Sequence, residues 1–203
     1  PFAKVSEQLG LFAGQLMPSD FDEIAIDYVG NVSDYNCSPI TAAAVAGILS
    51  STLPDINMVS APSIARDKGI AITETKKDEH SAYESYIRIT LTSKKEKFSI
   101  GGTTFSDGNP RIVQINGINL EAGLMQNMLY VTNKDVPGLI GSLGNILGDE
   151  EINIASFNLG RTGPLEDAIA LIGVDKPVSE KVIKEVEKLK SVVQVKCLNF
   201  KII

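Results

Sequence analysis

One short segment in the second half of the chain combines residue types that could bind a small charged molecule. Asp135 carries a carboxylate, and an apolar helical pattern begins directly after it. The start of a helix presents N–H groups without partners and a partial positive charge, so residues 136–139 could hold a carboxylate. Asp135 beside that pole could pair with an ammonium group, and Asn153 offers both a donor and an acceptor. Together these groups would form a binding site for a free α-amino acid.

Pro137 and Gly138 suit both a binding loop and an ordinary helix start. The proline gives up an N–H group that the first helical turn does not use, and the glycine removes a side chain that would block a close approach. The structural alternative is that Asp135 only caps the helix, that the Pro-Gly pair only begins it, and that Asn153 only satisfies a turn. The residue types alone leave both interpretations open.

The rest of the chain offers little that could run a reaction. His80 is the only histidine, and because it lies in a polar run we expect a solvated imidazole. Cys37 and Cys197 are too few for a disulfide framework or a zinc site, so we expect two reduced thiols. The glycines form neither a dinucleotide fingerprint nor a P-loop, and the acidic run 149–151 is expected to be a solvated turn. We therefore expect no catalytic residue, no metal and no cofactor in this chain.

Composition limits the classes of partner. The chain has 203 residues, with 25 acidic against 19 basic, and a net charge of −6, which argues against nucleic acid. Its apolar stretches are too short to span a bilayer, so we predict no membrane association and a soluble, cytoplasmic protein. Because the sequence opens on Pro1 in an already helical pattern, we expect a piece of a longer polypeptide.

The second half alternates strand and helix patterns in the order βαββαβ. This order predicts a ferredoxin-like fold with both helices on one face of an antiparallel sheet. Such a sheet would keep an open edge and one uncovered face, which favours pairing with a second copy. The predicted strands are 127–133, 152–160, 167–174 and the segment from Ser191 onward; the predicted helices begin at Pro137, with a stop at Gly148, and after Pro177.

The first half predicts a mixed α/β domain of about 120 residues. The expected helices are an amphipathic one at 1–16, an alanine-rich buried one at 40–53 and a short one ending at Gly69; the expected strands are 23–32, a strand after Gly69, an antiparallel pair at 86–93 and 97–105, and 111–117.

Two known families resemble these segments. The stretch NKDVPGLIGSLGNILGDEEINIASFNLGR resembles the core of an ACT domain, a module that binds amino acids at dimer interfaces. The segments SAPSIARDKGIAITETK and GGTTFSDGNPRIVQINGINLEA are similar to the allosteric substrate-binding domain of long-form D-3-phosphoglycerate dehydrogenases, and PFAKVSEQLGLFAGQL resembles the helix that leaves their catalytic portion. The resemblance implies a regulatory fragment, with a substrate-binding-like α/β domain at 1–124 and an ACT domain at 125–203.

The resemblance also implies site residues. It places a serine site between two ACT modules, in a homodimer within a homotetramer, with NAD bound only by catalytic domains absent from this chain. A second, anion-binding site would use two basic residues, of which Arg111 matches the first, whereas Gly123 stands at the second and supplies no charge. The implied serine-binding residues are Asn133, Asp135, Val136, Pro137, Gly138, Leu139, Asn153 and Ile154.

Two alternatives stay open at the level of sequence. The regulatory portion of a bacterial iron–sulfur L-serine dehydratase has a related pair of domains, although two cysteines argue against a cluster within this chain. A stand-alone ACT sensor for another small amino acid is the second alternative.

Overall fold

The protein divides into two compact units, Pro1–Gly117 and Ile118–Ile203. The computed structural model describes residues 1–19, 21–78, 82–163 and 166–201. His80, and with it the expected solvated imidazole, lies outside these ranges. The predicted domain boundary between residues 124 and 125 stays a prediction. In the described ranges, no helix combines the length and the apolar character needed to cross a bilayer.

The first unit is the mixed α/β structure that the sequence predicts. Strands β1 and β2 are parallel, β1, β3, β4 and β5 pair antiparallel, and the strand order is β2-β1-β3-β4-β5. Its elements are α1 (Phe2–Leu16), β1 (Glu23–Gly30), a 3₁₀ turn (Asn31–Asp34), α2 (Ser38–Ser50), α3 (Ala61–Asp67), β2 (Ala71–Lys77), β3 (Ser85–Thr92), β4 (Lys97–Thr104) and β5 (Pro110–Ile115).

Helices α1 and α2 pack with their backbones in contact. A Cβ atom at Gly10 would lie 2.3 Å from the carbonyl oxygen of Ala44, and one at Gly47 would lie 2.2 Å from that of Glu7. Only glycine permits so close an approach. Leu9 and Phe12 of the apolar stripe predicted for α1 are fully buried, which confirms that pattern.

The second unit has the predicted βαββαβ order. It contains a four-stranded antiparallel sheet of order β10-β7-β9-β8, in which β8 and β9 pair as the predicted hairpin. A strand that the sequence did not predict, β6, precedes this motif. The elements are β6 (Ile118–Gly123), β7 (Asn127–Lys134), α4 (Leu139–Asp149), β8 (Ile154–Arg161), β9 (Asp167–Val174), α5 (Glu180–Glu187) and β10 (Val192–Asn199).

The central strands β7 and β9 of this sheet are buried on both faces. On one face Leu129, Val131 and Ile172 form a core with Leu143 of α4 and Val182 of α5, as expected for two helices on one face. The expectation of an uncovered second face is wrong. The residues of β7 and β9 that point to the second face are at most 2% exposed: Met128, Tyr130, Ile169 and Leu171.

Strand β6 covers part of the second face. A Cβ atom at Gly160 of β8 would lie 2.8 Å from the carbonyl oxygen of Asn119, and the Asn158 side-chain amide donates to the Glu121 carbonyl at 2.6 Å. Burial on this face raises the pKa of Tyr130 to about 12, because desolvation disfavours the phenolate. The outer edge of β8 remains the edge of the sheet.

Helix α4 passes through the glycine that was predicted to end it. Gly148 is helical, and the helix extends to Asp149. The left-handed conformation that commonly follows a helix is adopted instead by Glu151, at φ 54°. The acidic run is therefore only partly a solvated turn, since Glu150 forms an ion pair with Lys181 of α5.

Candidate functional site

A cavity of about 360 Å³ opens beside the start of α4. It brings together six of the predicted site residues, Asn133, Asp135, Val136, Pro137, Gly138 and Leu139, with Ile140, Gly141, Leu159 and Arg161. The end of β7, the following turn, the first turn of α4 and the end of β8 supply these residues. The sequence therefore located one wall of the pocket, and β8 supplies a wall that it did not.

Helix α4 begins without a side-chain cap. The N-cap residue is Gly138, in the left-handed region at φ 100°, and no side-chain hydrogen bond caps the helix. The hypothesis that Asp135 is the cap is therefore wrong, as is the start at Pro137, which lies in the turn before the helix. Apart from its two neighbours in the chain, no described residue has an atom within 4 Å of where a Cβ at Gly138 would stand. The conformation requires glycine here, and the space above it is open.

The Asp135 carboxylate faces a cation of the same chain. Its Oδ2 lies 3.2 Å from Nε of Arg161, and the side chains of Asp135 and Arg161 are 16% and 52% exposed. The Asp135 backbone N–H donates to the Glu166 carbonyl at 2.9 Å, which fixes the backbone of the acid. The acid that was predicted to meet an ammonium group is thus half-buried, held in place and already paired.

Asn133 supplies a buried polar group with unused capacity. The residue is 2% exposed, and its side-chain amide donates to the Lys134 carbonyl at 2.9 Å. Its Oδ1 accepts no hydrogen bond from any described residue. A buried acceptor without a donor costs about 1–3 kcal/mol, so a donor from outside the chain would stabilise this site.

The structure does not bring Asn153 and Ile154 to this pocket. Ile154 pairs with Val174 of β9, and Val174 pairs with Asn127 at the beginning of β7. The pocket lies at the opposite end of the same ladder, roughly 20 Å away at about 3.3 Å per residue. The Asn153 backbone N–H donates to Oδ1 of Asp175 at 3.1 Å. Within one chain, this asparagine cannot bridge to Asp135.

The guanidinium of Arg111 is engaged by its own strand and the preceding turn. Nη2 contacts Oδ2 of Asp107 at 2.7 Å, and Nη1 donates to the Asn109 carbonyl at 3.3 Å. Hydrogen bonds from Asn109 and the contact with Arg111 lower the pKa of Asp107. The anion site stays a prediction for which these contacts give no support, and Gly123 adds no charge.

Sequence reasoning missed four lining residues: Ile140 and Gly141 in the first turn of α4, and Leu159 and Arg161 in β8. In β8, residues 157, 159 and 161 alternate onto the face that packs against the helices. That alternation was the available signal, because the face of β8 that carries Phe157 and Leu159 toward the core also carries Arg161 to the start of α4.

Among the described residues, no group of three or more histidine, cysteine, aspartate or glutamate side chains is placed to hold a metal ion. Cys37 and Cys197 are free thiols, as predicted, and burial raises the pKa of each.

Comparison with known protein families agrees with the two-part architecture. Residues 127–191 match the model of the ACT domain. Residues 1–116, more than half of the chain, match the model described as the D-3-phosphoglycerate dehydrogenase intervening domain. The chain belongs to the family of D-3-phosphoglycerate dehydrogenase intervening domains, followed here by an ACT domain.

Curated relatives extend the match over nearly the whole chain. The D-3-phosphoglycerate dehydrogenase of Bacillus subtilis is 30% identical over 200 residues, which are 98% of this chain and 38% of that protein. The enzyme of the same name from Synechocystis is 31% identical over 191 residues, or 93% of this chain and 34% of that protein. The chain thus spans little more than a third of these relatives. The probable L-serine dehydratase beta chain of Bacillus subtilis is 24% identical over 93% of this chain and 86% of that protein.

Proposed function

We propose that this chain is the regulatory portion of a D-3-phosphoglycerate dehydrogenase, and that it binds L-serine at the cavity beside the start of α4. The observation that carries the proposal is the convergence of Asp135, Asn133 and an uncapped helix start on one open cavity, in a chain of this family. ACT domains as a class bind amino acids and dimerise, and residues 127–191 form one.

The groups around the cavity complement a small zwitterion. The half-buried carboxylate of Asp135 suits the ammonium group. The first N–H groups of α4 have no intrahelical acceptors and lie at the positive end of the helix dipole, which suits the carboxylate. Oδ1 of Asn133 can accept one further donor, such as a hydroxyl or an ammonium N–H.

A second copy of the chain completes this site in the proposal. Strand β8 is an edge strand, so the same strand of another copy can add to it. An antiparallel pairing centred on the middle of β8 would place Ile154 of one copy opposite Arg161 of the other. Asn153 of the second copy would then lie beside the pocket of the first, which reconciles its position with the role that the family resemblance implies.

Regulation would follow from differential binding. Serine bound across two ACT domains stabilises one arrangement of the regulatory domains and so shifts the population of the whole enzyme toward a less active state. The NAD-dependent oxidation itself, and the homotetramer in which two such dimers combine, belong to a complete dehydrogenase of which this chain spans a part.

The L-serine dehydratase alternative has one observation in its favour, the 86% coverage of the dehydratase beta chain. Its identity is 24%, against 30% for the dehydrogenase of the same organism. The match of residues 1–116 to the dehydrogenase intervening domain favours the dehydrogenase. A dinucleotide-binding G-x-G-x-x-G segment in the coding sequence beside this chain would support the dehydrogenase, and a cysteine-rich segment the dehydratase.

Calorimetric titration of the 203-residue chain with L-serine tests the proposal. We expect saturable heat at serine concentrations below millimolar, with one site per chain, and sedimentation that reports a dimer. Asp135→Asn removes the charge that meets the ammonium group and is expected to weaken binding at least about 100-fold.

Asp149→Asn is the matched control, because it removes a carboxylate at the other end of the same helix. We expect its serine affinity to equal that of the wild type. Serine is added up to about 10 mM, which is well above ordinary effector affinities. If neither heat nor a thermal shift is observed up to that concentration, the proposed function is refuted.

A further inference from the structure

We propose that Arg161 is the specificity-determining residue of this pocket: it pairs with Asp135 within the chain and transfers to the carboxylate of the incoming amino acid. The proposal rests on the proposed function, since it names the group that selects an amino acid over a related amine. In this proposal the ligand's carboxylate has two partners: the N–H groups at the start of α4 and the guanidinium of Arg161 in β8.

The strand register places Arg161 across the pocket from Asn133. Ala168 of β9 pairs with Asn133 of β7 on one side and with Arg161 of β8 on the other. The three residues form one row at the end of the sheet, so the outer two are about 10 Å apart at about 4.8 Å per strand. The side chain between them is only a methyl group, and the cavity is lined by the amide of Asn133 and the guanidinium of Arg161.

The ion pair is arranged so that a partner can be exchanged. Asp135 is 16% exposed and its backbone is anchored, whereas Arg161 is 52% exposed and lies at the end of an edge strand. Nε of the guanidinium contacts the acid, and a guanidinium carries five N–H donors in a planar fork that matches a carboxylate. Movement of the arginine costs less than movement of the acid.

Insertion of a zwitterion preserves the charge balance of the pocket. Within the chain, the negative side chain of Asp135 and the positive side chain of Arg161 neutralise each other. With an α-amino acid between them, the order becomes Asp135 carboxylate, ammonium, ligand carboxylate and Arg161 guanidinium, so each charge keeps an opposite neighbour. An amine without a carboxylate would take Asp135 from Arg161 and leave the guanidinium without a partner.

A different role for Arg161 predicts the opposite result. If the guanidinium only competed with the ligand's ammonium for Asp135, its removal would free the acid and tighten serine binding. If it binds the carboxylate, its removal weakens binding and lowers the preference for ligands that carry a carboxylate. The direction of the change separates the two roles.

The test compares L-serine with L-serinamide, which keeps the ammonium and hydroxyl groups but has a neutral carboxamide. Calorimetric titration of the 203-residue wild-type chain is expected to show a preference for serine of about 100-fold or more. In Arg161→Gln we expect serine affinity to fall about 10- to 100-fold and that preference to shrink to a few-fold. Arg161→Lys, which keeps the charge without the fork, is expected to lie between them.

Lys134→Gln is the matched control, because it removes a neighbouring cation that pairs with Asp167 and does not line the cavity. It is expected to keep the wild-type affinity and preference. If the wild type binds serine and Arg161→Gln keeps the same affinity and preference, or binds serine more tightly, this inference is overturned while the proposed function stands. If the wild type binds no serine, both are overturned. Thermal unfolding shows whether each variant is folded. If Arg161→Gln does not fold, Arg161→Lys is compared with the wild type instead.

Discussion

Helices α4 and α5 lie on the same face of one sheet, yet their first turns are satisfied in different ways. At α5, the Ser179 side chain accepts the Val182 N–H at 3.4 Å, and Glu180 adds an acid to the first turn. At α4, the N-cap is Gly138, no side chain caps the helix, and the first turn carries no acid.

The difference shows which helix start serves stability and which is available to a ligand. The groups at the start of α5 are compensated by residues of its own sequence, as expected for a structural helix. The start of α4 keeps its positive pole uncompensated beside a cavity that also holds an acid, a cation and a buried amide. We infer that a bound ligand supplies the negative charge and the hydrogen-bond acceptors that the start of α4 lacks.

The largest expected effect comes from removing the core support that both helices share. Leu143 of α4 is fully buried among residues of the sheet and of α5. Leu143→Ala is expected to lower the free energy of unfolding of the second unit by about 3–5 kcal/mol, and serine binding should be lost with it. Val193→Ala, at an apolar residue that is 69% exposed, should change stability by less than about 0.5 kcal/mol in the same denaturant titration.

A change at Gly138 would alter the open helix start directly. Gly138→Ala forces a side chain into the left-handed region at φ 100°, at a cost of about 1–2 kcal/mol, and adds a methyl group to the space left for the ligand. We expect both lower stability and weaker serine binding.

Gly148→Ala is the control for that change, since this glycine is helical and, apart from its chain neighbours and the backbone of its own helix, no described residue lies within 4 Å of where its Cβ would stand. It should raise stability by about 0.5–1 kcal/mol and leave serine affinity unchanged. Equal effects of the two alanines on affinity would contradict a special role for the start of α4.

A smaller effect is expected at the start of α5. Ser179→Ala removes the capping hydrogen bond and should lower the free energy of unfolding by about 1 kcal/mol. Serine affinity, measured by calorimetry, should stay at the wild-type value. A large loss of affinity would show that the two helix starts are not separate in function.

The smallest effect concerns the charge at α5. Glu180→Gln removes the acid from the first turn and should cost about 0.3–1 kcal/mol at low ionic strength. Because salt screens this interaction, the difference between variant and wild type should shrink in 1 M salt. A difference that is independent of salt would point to a cause other than the helix dipole.

Local patterns were enough to predict most of the fold. The alternation in β9 and the helical spacing in α4 are visible in single segments, and β9 occupies the predicted 167–174. Strand β6 was missed although the alternation of Ile118, Leu120 and Ala122 with polar residues is visible in the sequence. The predicted helix stop at Gly148 was wrong because the tertiary context decides whether a glycine ends a helix.

For the candidate site, the sequence predicted the wall formed by one continuous segment, the turn before α4. It missed the wall that β8, a distant segment of the chain, contributes. The turn between Asn133 and Leu139 could be recognised from residue types at fixed spacing. The contact between Asp135 and Arg161 depends on the order β7-β9-β8, which places residues 26 positions apart at one end of the sheet. The same order separates Asn153 from the pocket within one chain.

Two-dimensional ¹H–¹⁵N NMR of the labelled chain, titrated with L-serine, tests the central claim most directly. The account predicts saturable shifts of the backbone amides of Leu139, Ile140 and Gly141 and of the Arg161 Nε–H signal, while the amides of Glu180 to Val182 stay in place. Shifts confined to other parts of the chain, or equal shifts at both helix starts, would contradict it.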